Sequence, residues 1–269
     1  MLSNHYKFFI GHKKPDFPIW ENFLFYDMAN YSIKASTSLF KRNSINDKIF
    51  NEYASLFAIK NELSGTVESD SFITICQYRR FVFNRKVGHK SKVMPWCMVL
   101  SHNEIINLNV KDEYLPLGKN LFLIGSSINI TSTLEQYSEH HYTRDLLKFT
   151  SILIDLEILS NENALNFLNH ELLIPSPSCG TFPVKAFVEI FDLLEIAAIG
   201  FWNSGYRPYS DPYQCRVISF LLERLNSFLL ITYIKNNSLN IDDLFGVTTM
   251  VTPINTSIKD VQRGFVDNE

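Results

Sequence analysis

Apolar residues follow two rhythms along this chain. In the first half they come as short runs: Tyr6-Lys7-Phe8-Phe9-Ile10, stopped by Gly11; Ser71-Phe72-Ile73-Thr74-Ile75-Cys76; Cys97 to Leu100; and Leu121 to Ile124. Such runs, rich in aromatic and β-branched residues and bounded by Gly, Pro or Ser, predict strands. The unbroken run at 71–76 predicts a strand buried on both faces. Between the first two runs, Ile49, Tyr53, Leu56 and Phe57 recur with a helical period from about Ile45 to Leu63, and Gly65 ends that helix. Beyond Thr133 the rhythm is helical throughout: Leu134 to Asp155, Asn161 to Asn169, Val184 to Ile199 and Pro212 to Ile234. Loops are predicted at 175–180 and from Ser204 to Asp211. Strands alternating with helices predict an α/β fold with a mostly parallel sheet, and a helical C-terminal half packed over one face or end of it. With no repeat and no flexible linker, the expectation is one domain over residues 1–255 and a polar tail over 256–269.

Charge and cysteine usage narrow the class. The net charge of −3 gives no global basic field, which argues against a nucleic-acid partner. Cys76, Cys97, Cys179 and Cys215 are scattered with no Cys-x-x-Cys pair, which fits a reducing compartment better than a disulfide framework or structural zinc. His5, Lys7, His12, Lys13 and Asp16 interrupt any signal-peptide core. No run reaches the roughly 18 apolar residues of a spanning helix. Phe187 to Phe201 comes nearest, but Glu189, Asp192 and Glu195, three apart, predict a solvated helix face. A soluble, cytoplasmic protein is expected.

Three clusters carry candidate chemistry. Two predicted strands run into cations, His12-Lys13-Lys14 after the first and Gln77-Tyr78-Arg79-Arg80 after the central one. In open α/β sheets ligands bind beyond the carboxyl ends of the strands, and a guanidinium matches phosphate with two parallel hydrogen bonds. If the two strands are parallel neighbours, the clusters meet in one crevice as a diphosphate site; otherwise they are solvated strand ends. On the helix starting near Pro212, Arg216 and Glu223 are seven apart and share a face with Gln214 and Arg224, beside an apolar stripe of Val217, Leu221, Leu225 and Phe228. Spacing alone favours reading the polar face as a solvated or ion-paired surface. The third cluster spans Glu135 to Asp145 with His140 and His141; adjacent histidines point to different faces, so no metal site is expected there. The chain also lacks Asp-x-Asp after a strand, Gly-x-Gly-x-x-Gly, a Walker loop and Gly-x-Ser-x-Gly. That argues against a metal-held diphosphate, a dinucleotide oxidoreductase, a P-loop kinase and a serine hydrolase.

Taken in order, these segments resemble a bacterial glycosyltransferase-like family catalogued as domain of unknown function 4422, found in capsule and O-antigen clusters. Ile10-Gly11-His12-Lys13 is similar to its opening strand and His-Lys pair, and Asn51 to Asn61 to its aromatic helix. Ile73 to Phe81 resembles its strand followed by His-Tyr-Arg-Arg. Tyr137 to His141 with Asp145 resembles its middle block, and Tyr209 to Val217 with Phe220 to Leu225 its closing helix. Gln77 stands where the family has His, so a role for that imidazole does not carry over. Lys41 to Asp47 lacks the glycine of the family's Gly-Asp-Asn-Ile-Ser stretch.

The resemblance implies a nucleotide-sugar-binding α/β fold of GT-A-like type. It further implies transfer of a sugar from a nucleotide diphosphate donor, a UDP-sugar first, to a glycan acceptor in surface polysaccharide synthesis. His12, Lys13, Arg79, Arg80, Arg216 and Arg224 are then the donor-binding candidates. The acceptor hydroxyl needs a base, for which Glu223, Glu135, His140 and His141 are candidates. A lipid-linked acceptor would bring the protein peripherally to the inner membrane. The alternative is a non-catalytic glycan- or partner-binding subunit of an assembly complex.

Overall fold

The computed structural model describes residues 4–11, 15, 17, 20, 22–27, 47–65, 71–110, 112–117, 122–240 and 244–252. Its first half holds strands β1 (His5–Gly11), β2 (Leu24–Asp27), β3 (Phe72–Gln77), β4 (Arg80–Phe83), β5 (His89–Lys90), β6 (Cys97–Leu100), β7 (Leu123–Gly125) and β8 (Ile128–Asn129). The helices among them are α1 (Asp47–Phe50), α2 (Glu52–Leu63) and α3 (His102–Ile106). Then come α4 (Thr133–Ser138), α5 (Thr143–Asp155), α6 (Asn161–Leu168), β9 (Leu172–Leu173), β10 (Gly180–Pro183), α7 (Val184–Asn203), α8 (Val217–Asn236) and β11 (Phe245–Val251). A 3-10 turn, Gln214–Arg216, leads into α8.

Nine strands form one sheet, in the order β2-β1-β3-β10-β7-β11-β6-β5, with β4 bridging β3 and β11; β8 and β9 pair separately. Here the expectation of a mostly parallel sheet fails. β1 is parallel to β2 and β3, and β11 to β6 and β7. By contrast β10 runs antiparallel to both its neighbours, β4 antiparallel to β3 and β11, and β5 antiparallel to β6. The sheet is mixed because two central strands, β10 and β11, come from the half that reads as helical. β10 is four residues long and holds both Gly180 and Pro183. Gly180 is required there: its φ is +141°, and a Cβ would stand 2.4 Å from the Leu123 carbonyl oxygen of the neighbouring strand.

Alternating side chains divide the core. Phe8 and Ile10 of β1, with Ile73 and Ile75 of β3, join the large cluster under α2, α5, α7 and α8. Phe9 and Cys76, one position off, join Phe81, Phe83 and Leu100 on the opposite face. Every residue of β3 is buried, as its apolar run predicts.

The predicted helix over 45–63 breaks at Asn51, whose φ of 47° lies in the left-handed region that asparagine tolerates better than most residues. The predicted helix over 134–155 also breaks, at residues 139–142, so His141 and Asp145 do not share a helix. The predicted solvated stripe of α7 holds at Glu189 and Asp192, which are exposed, but not at Glu195. Glu195 is buried, and the Lys60 ammonium of α2 donates to Glu195 and Asp192 at 2.7 Å each. Burial pulls the Lys60 pKa down, but the two carboxylates outweigh it and leave it raised. The helix Gln214–Asn236, not Phe187 to Phe201, is long and apolar enough to cross a membrane, yet 78% of its apolar window is buried within the fold.

Candidate functional site

β3 ends in a two-residue turn, Tyr78-Arg79, that reverses the chain into β4, so Gln77 pairs with Arg80. At this point β3 and β4 part company, β3 following β10 and β4 following β11. The loop that precedes β10 is fastened over the parting. Gln77 Nε2 donates to Ser178 Oγ at 2.8 Å, Arg80 Nη1 to Ser176 Oγ at 2.8 Å, and Cys179 Sγ to the Arg80 carbonyl at 3.3 Å. Gln77 is thus a buried brace for that loop.

Two helix starts converge on this end of the sheet. The charge of Arg80, just past the end of β3, acts on Glu52, the first residue of α2, so the start of α2 lies near the carboxyl end of β3. α8 begins beside it, where Ser219 Oγ donates to the Phe50 carbonyl at 3.3 Å. The start of α2 has no side-chain cap, whereas the 3-10 turn that leads into α8 is capped by Asp211, whose carboxylate accepts the N–H groups of Tyr213 and Gln214.

Glu52, the first residue of α2, is the residue to which the charges of this site refer. It keeps part of its surface, but its carboxyl lies deep enough for burial to raise its pKa. Its own backbone N–H pulls the value back; the charge of Glu223 raises it further, and those of Arg80 and Arg216 lower it. The Asn51 side chain donates to the same carboxylate. Residues from α2, β4 and the start of α8, far apart in sequence, therefore share one electrostatic site.

The two guanidiniums of the site are lightly engaged. Arg80 is half-buried and gives one N–H to Ser176. Arg216 lies over the rings of Tyr213 and Phe220, 5.0 and 5.4 Å from their centroids, and its buried Nε has no hydrogen-bond partner among the described residues.

Arg224 differs. It is 6% exposed, and its donors are spent on Gln136 Oε1 (3.1 and 3.0 Å), the Phe220 carbonyl (3.2 Å) and Glu223 Oε2 (2.9 Å). Its contribution is to fix the Glu223 carboxylate.

The remaining candidates fall in several places. Arg79 occupies the β3–β4 turn with its guanidinium 5.5 Å from the Tyr78 ring, and its carbonyl accepts from Val251. His141 is buried, stacked 4.1 Å from Phe220 and 5.6 Å from Tyr213. Burial, then Arg224, lowers its pKa to about 4, against the hydrogen bond that His141 Nδ1 donates to Gln214 Oε1, which raises it. It lines the site as a neutral ring.

His140 and Glu135 are exposed and do not join Glu52: His140 faces Glu139 at 3.9 Å, and Glu135 lies in the first turn of α4. His12 and Lys13 lie outside the described residues, as does 41–46. Their strand, β1, is the parallel neighbour of β3. Among the described residues no group of three or more His, Cys, Asp and Glu is placed to hold a metal ion.

Glu52 is the site residue that the spacing of charges does not single out. Its signal is a lone acid at the start of a helix whose other early residues are apolar and buried.

The fold is thus a mixed sheet covered by a helical layer. The apo structure of the bifunctional glycosyltransferase WbbM matches it with a TM-score of 0.68 over 93% of this chain, at 13% identity. At that identity the likeness is one of fold. This chain spans 46% of the WbbM chain. No protein-family model and no curated protein sequence matches the chain.

Proposed function

We propose that this protein is a glycosyltransferase of the domain-of-unknown-function-4422 type, acting on a nucleotide diphosphate sugar, with uridine as the first nucleotide to test. The observation that carries the reading is the convergence of Arg80 and Arg216, both with unspent N–H groups among the described residues, on Glu52 and Glu223 at the start of α2.

The reaction breaks the bond between the sugar's anomeric carbon and the diphosphate, and forms one from that carbon to an acceptor hydroxyl oxygen. Charge develops on the departing diphosphate, where Arg80, Arg216 and the helix dipoles are preorganised to meet it. Lys13 and Arg79 are further candidates for that role. The hydroxyl proton passes to Glu52, whose raised pKa makes it a better base than an ordinary glutamate once ionised. Glu223 holds that basicity up through its negative charge. On this reading the protein works in the cytoplasm, and a lipid-linked acceptor brings it to the inner membrane during surface polysaccharide synthesis.

The test is thermal unfolding against a panel of nucleoside diphosphates, with and without manganese, followed by assay of donor turnover. One nucleotide should raise the melting temperature by mass action. Arg80→Ala and Arg216→Ala should abolish that rise while remaining folded. A folded wild-type protein that ignores every nucleotide overturns the reading in favour of a non-catalytic subunit.

A further inference from the structure

Aromatics make up 14% of the sequence, and most of the described ones are buried. Among the described Phe, Tyr and Trp side chains only Tyr142, at 49%, and Tyr213, at 46%, are exposed. Both stand on one rim. His141, beside Tyr142 in the chain, stacks on Tyr213 with ring planes 14° apart. The Arg216 guanidinium lies over Tyr213 on the site side. On the outer side Tyr142 packs 4.9 Å from Tyr209, and the Arg144 guanidinium sits 5.2 and 5.5 Å from those two rings.

The rim is held in place before any ligand arrives. Tyr209 donates to the Asp145 carboxylate at 2.8 Å and accepts from Arg144 at 2.8 Å. The Asp211 carboxylate takes the backbone N–H groups of Tyr213 and Gln214 at 2.9 and 2.6 Å, and Gln214 Nε2 donates to the His140 carbonyl at 3.0 Å. Ordering two tyrosines this firmly while leaving almost half of each in water is unfavourable unless something covers them.

We infer that Tyr142 and Tyr213 form the acceptor platform, on which the C–H faces of glycan sugar rings stack while the reacting hydroxyl reaches toward Glu52. This rests on the transferase reading above. The chemistry favours a sugar over the donor's nucleobase. Arg80 sits at the end of β3, whereas these rings are about half exposed and open to an uncharged ligand arriving from solvent. Arg144 and Arg216 flank the rings and have donors suited to hydroxyl groups.

The experiment is saturation-transfer NMR on the full chain with a panel of methyl glycosides (glucose, galactose, mannose and N-acetylglucosamine) in the presence of UDP. At least one glycoside should receive saturation at its ring protons. Tyr142→Ala and Tyr213→Ala should each weaken its binding about tenfold, and Tyr213→Phe, which keeps the ring, should restore it. UDP-induced stabilisation should be the same in Tyr142→Ala and Tyr213→Phe, which keep the ring under Arg216, and the melting temperatures of all three variants report whether they fold. If no glycoside binds the wild type, or binding survives in the double alanine variant, the platform is overturned. It is overturned equally if Tyr213→Ala loses UDP while keeping the glycoside, since the rim is then the nucleobase seat. A wild type that binds a glycoside on these rings but no nucleotide sinks the transferase reading and leaves the sugar platform standing.

Discussion

One amide oxygen of Gln136 accepts both Nε and Nη2 of Arg224, 88 positions later in the chain, and so leaves Nη1 of that arginine to hold Glu223. The position of a site carboxylate is therefore set from α4, an element that itself carries no group acting on Glu52. Gln136→Leu strips two hydrogen bonds from a buried guanidinium and should cost about 1–3 kcal/mol in urea unfolding. Stability within 0.5 kcal/mol of wild type, on the order of an ordinary surface change, would show that Arg224 finds other partners.

Lys60 makes a similar prediction in the core. Lys60→Met leaves Glu195, 6% exposed, without its cation, and should destabilise by about 3–5 kcal/mol. Adding Glu195→Leu should recover most of that loss, because two apolar side chains then replace a desolvated pair. Asp192 is half in water and should matter little on its own. A double variant no more stable than Lys60→Met would mean that the carboxylate is not the source of the cost.

The acid pair predicts a shift in the pH profile of transfer. A base works deprotonated, so activity rises with pH through the pKa of Glu52. The charge of Glu223 raises that pKa, and Glu223→Gln removes the charge without changing the shape of the side chain. The acid limb of the profile should move to lower pH. Glu52→Gln should abolish transfer while leaving nucleotide binding in place. An acid limb that moves upward in Glu223→Gln would exclude Glu52 as the base.

His141 predicts how stability depends on pH. Its folded pKa of about 4 lies below the ordinary value of 6.5, so the unfolded chain takes up a proton that the folded one refuses. Its contribution is complete above pH 6.5 and is lost as the pH falls toward 4, at up to about 1.4 kcal/mol per pH unit. His141→Phe keeps a ring between Phe220 and Tyr213 and should flatten that slope relative to wild type. Parallel slopes for the two proteins over pH 4 to 6.5 would refute the assignment.

What the sequence discloses about the fold depends on how local each signal is. The run at 71–76 needs only its own six residues to read as a buried strand, and β3 is buried throughout. β11 had an equally local signal in Val247-Thr248-Thr249-Met250-Val251, hidden by its position after a long helical region. β10 had none: four residues with a glycine and a proline form a strand only because β3 and β7 lie on either side. The site divides in the same way. Arg216, Glu223 and Arg224 could be paired by helical periodicity, and Arg80 by its place after a strand. Glu52 could not, because its role depends on the break at Asn51 and on charges from two other elements.

The place of β11 bears on how the molecule is made. It is the last of the described elements to leave the ribosome, yet it pairs with β4, β6 and β7 in the middle of the sheet. Until it arrives, those strands have exposed edges, and the hairpin that carries Arg80 lacks its partner on one side. Synthesis from the N-terminus therefore cannot complete the sheet piece by piece; closure waits for contacts of very long sequence separation, which is a slow route. A nascent chain stalled before residue 245 would hold every described helix but an unfinished sheet, and so would be a substrate for chaperones.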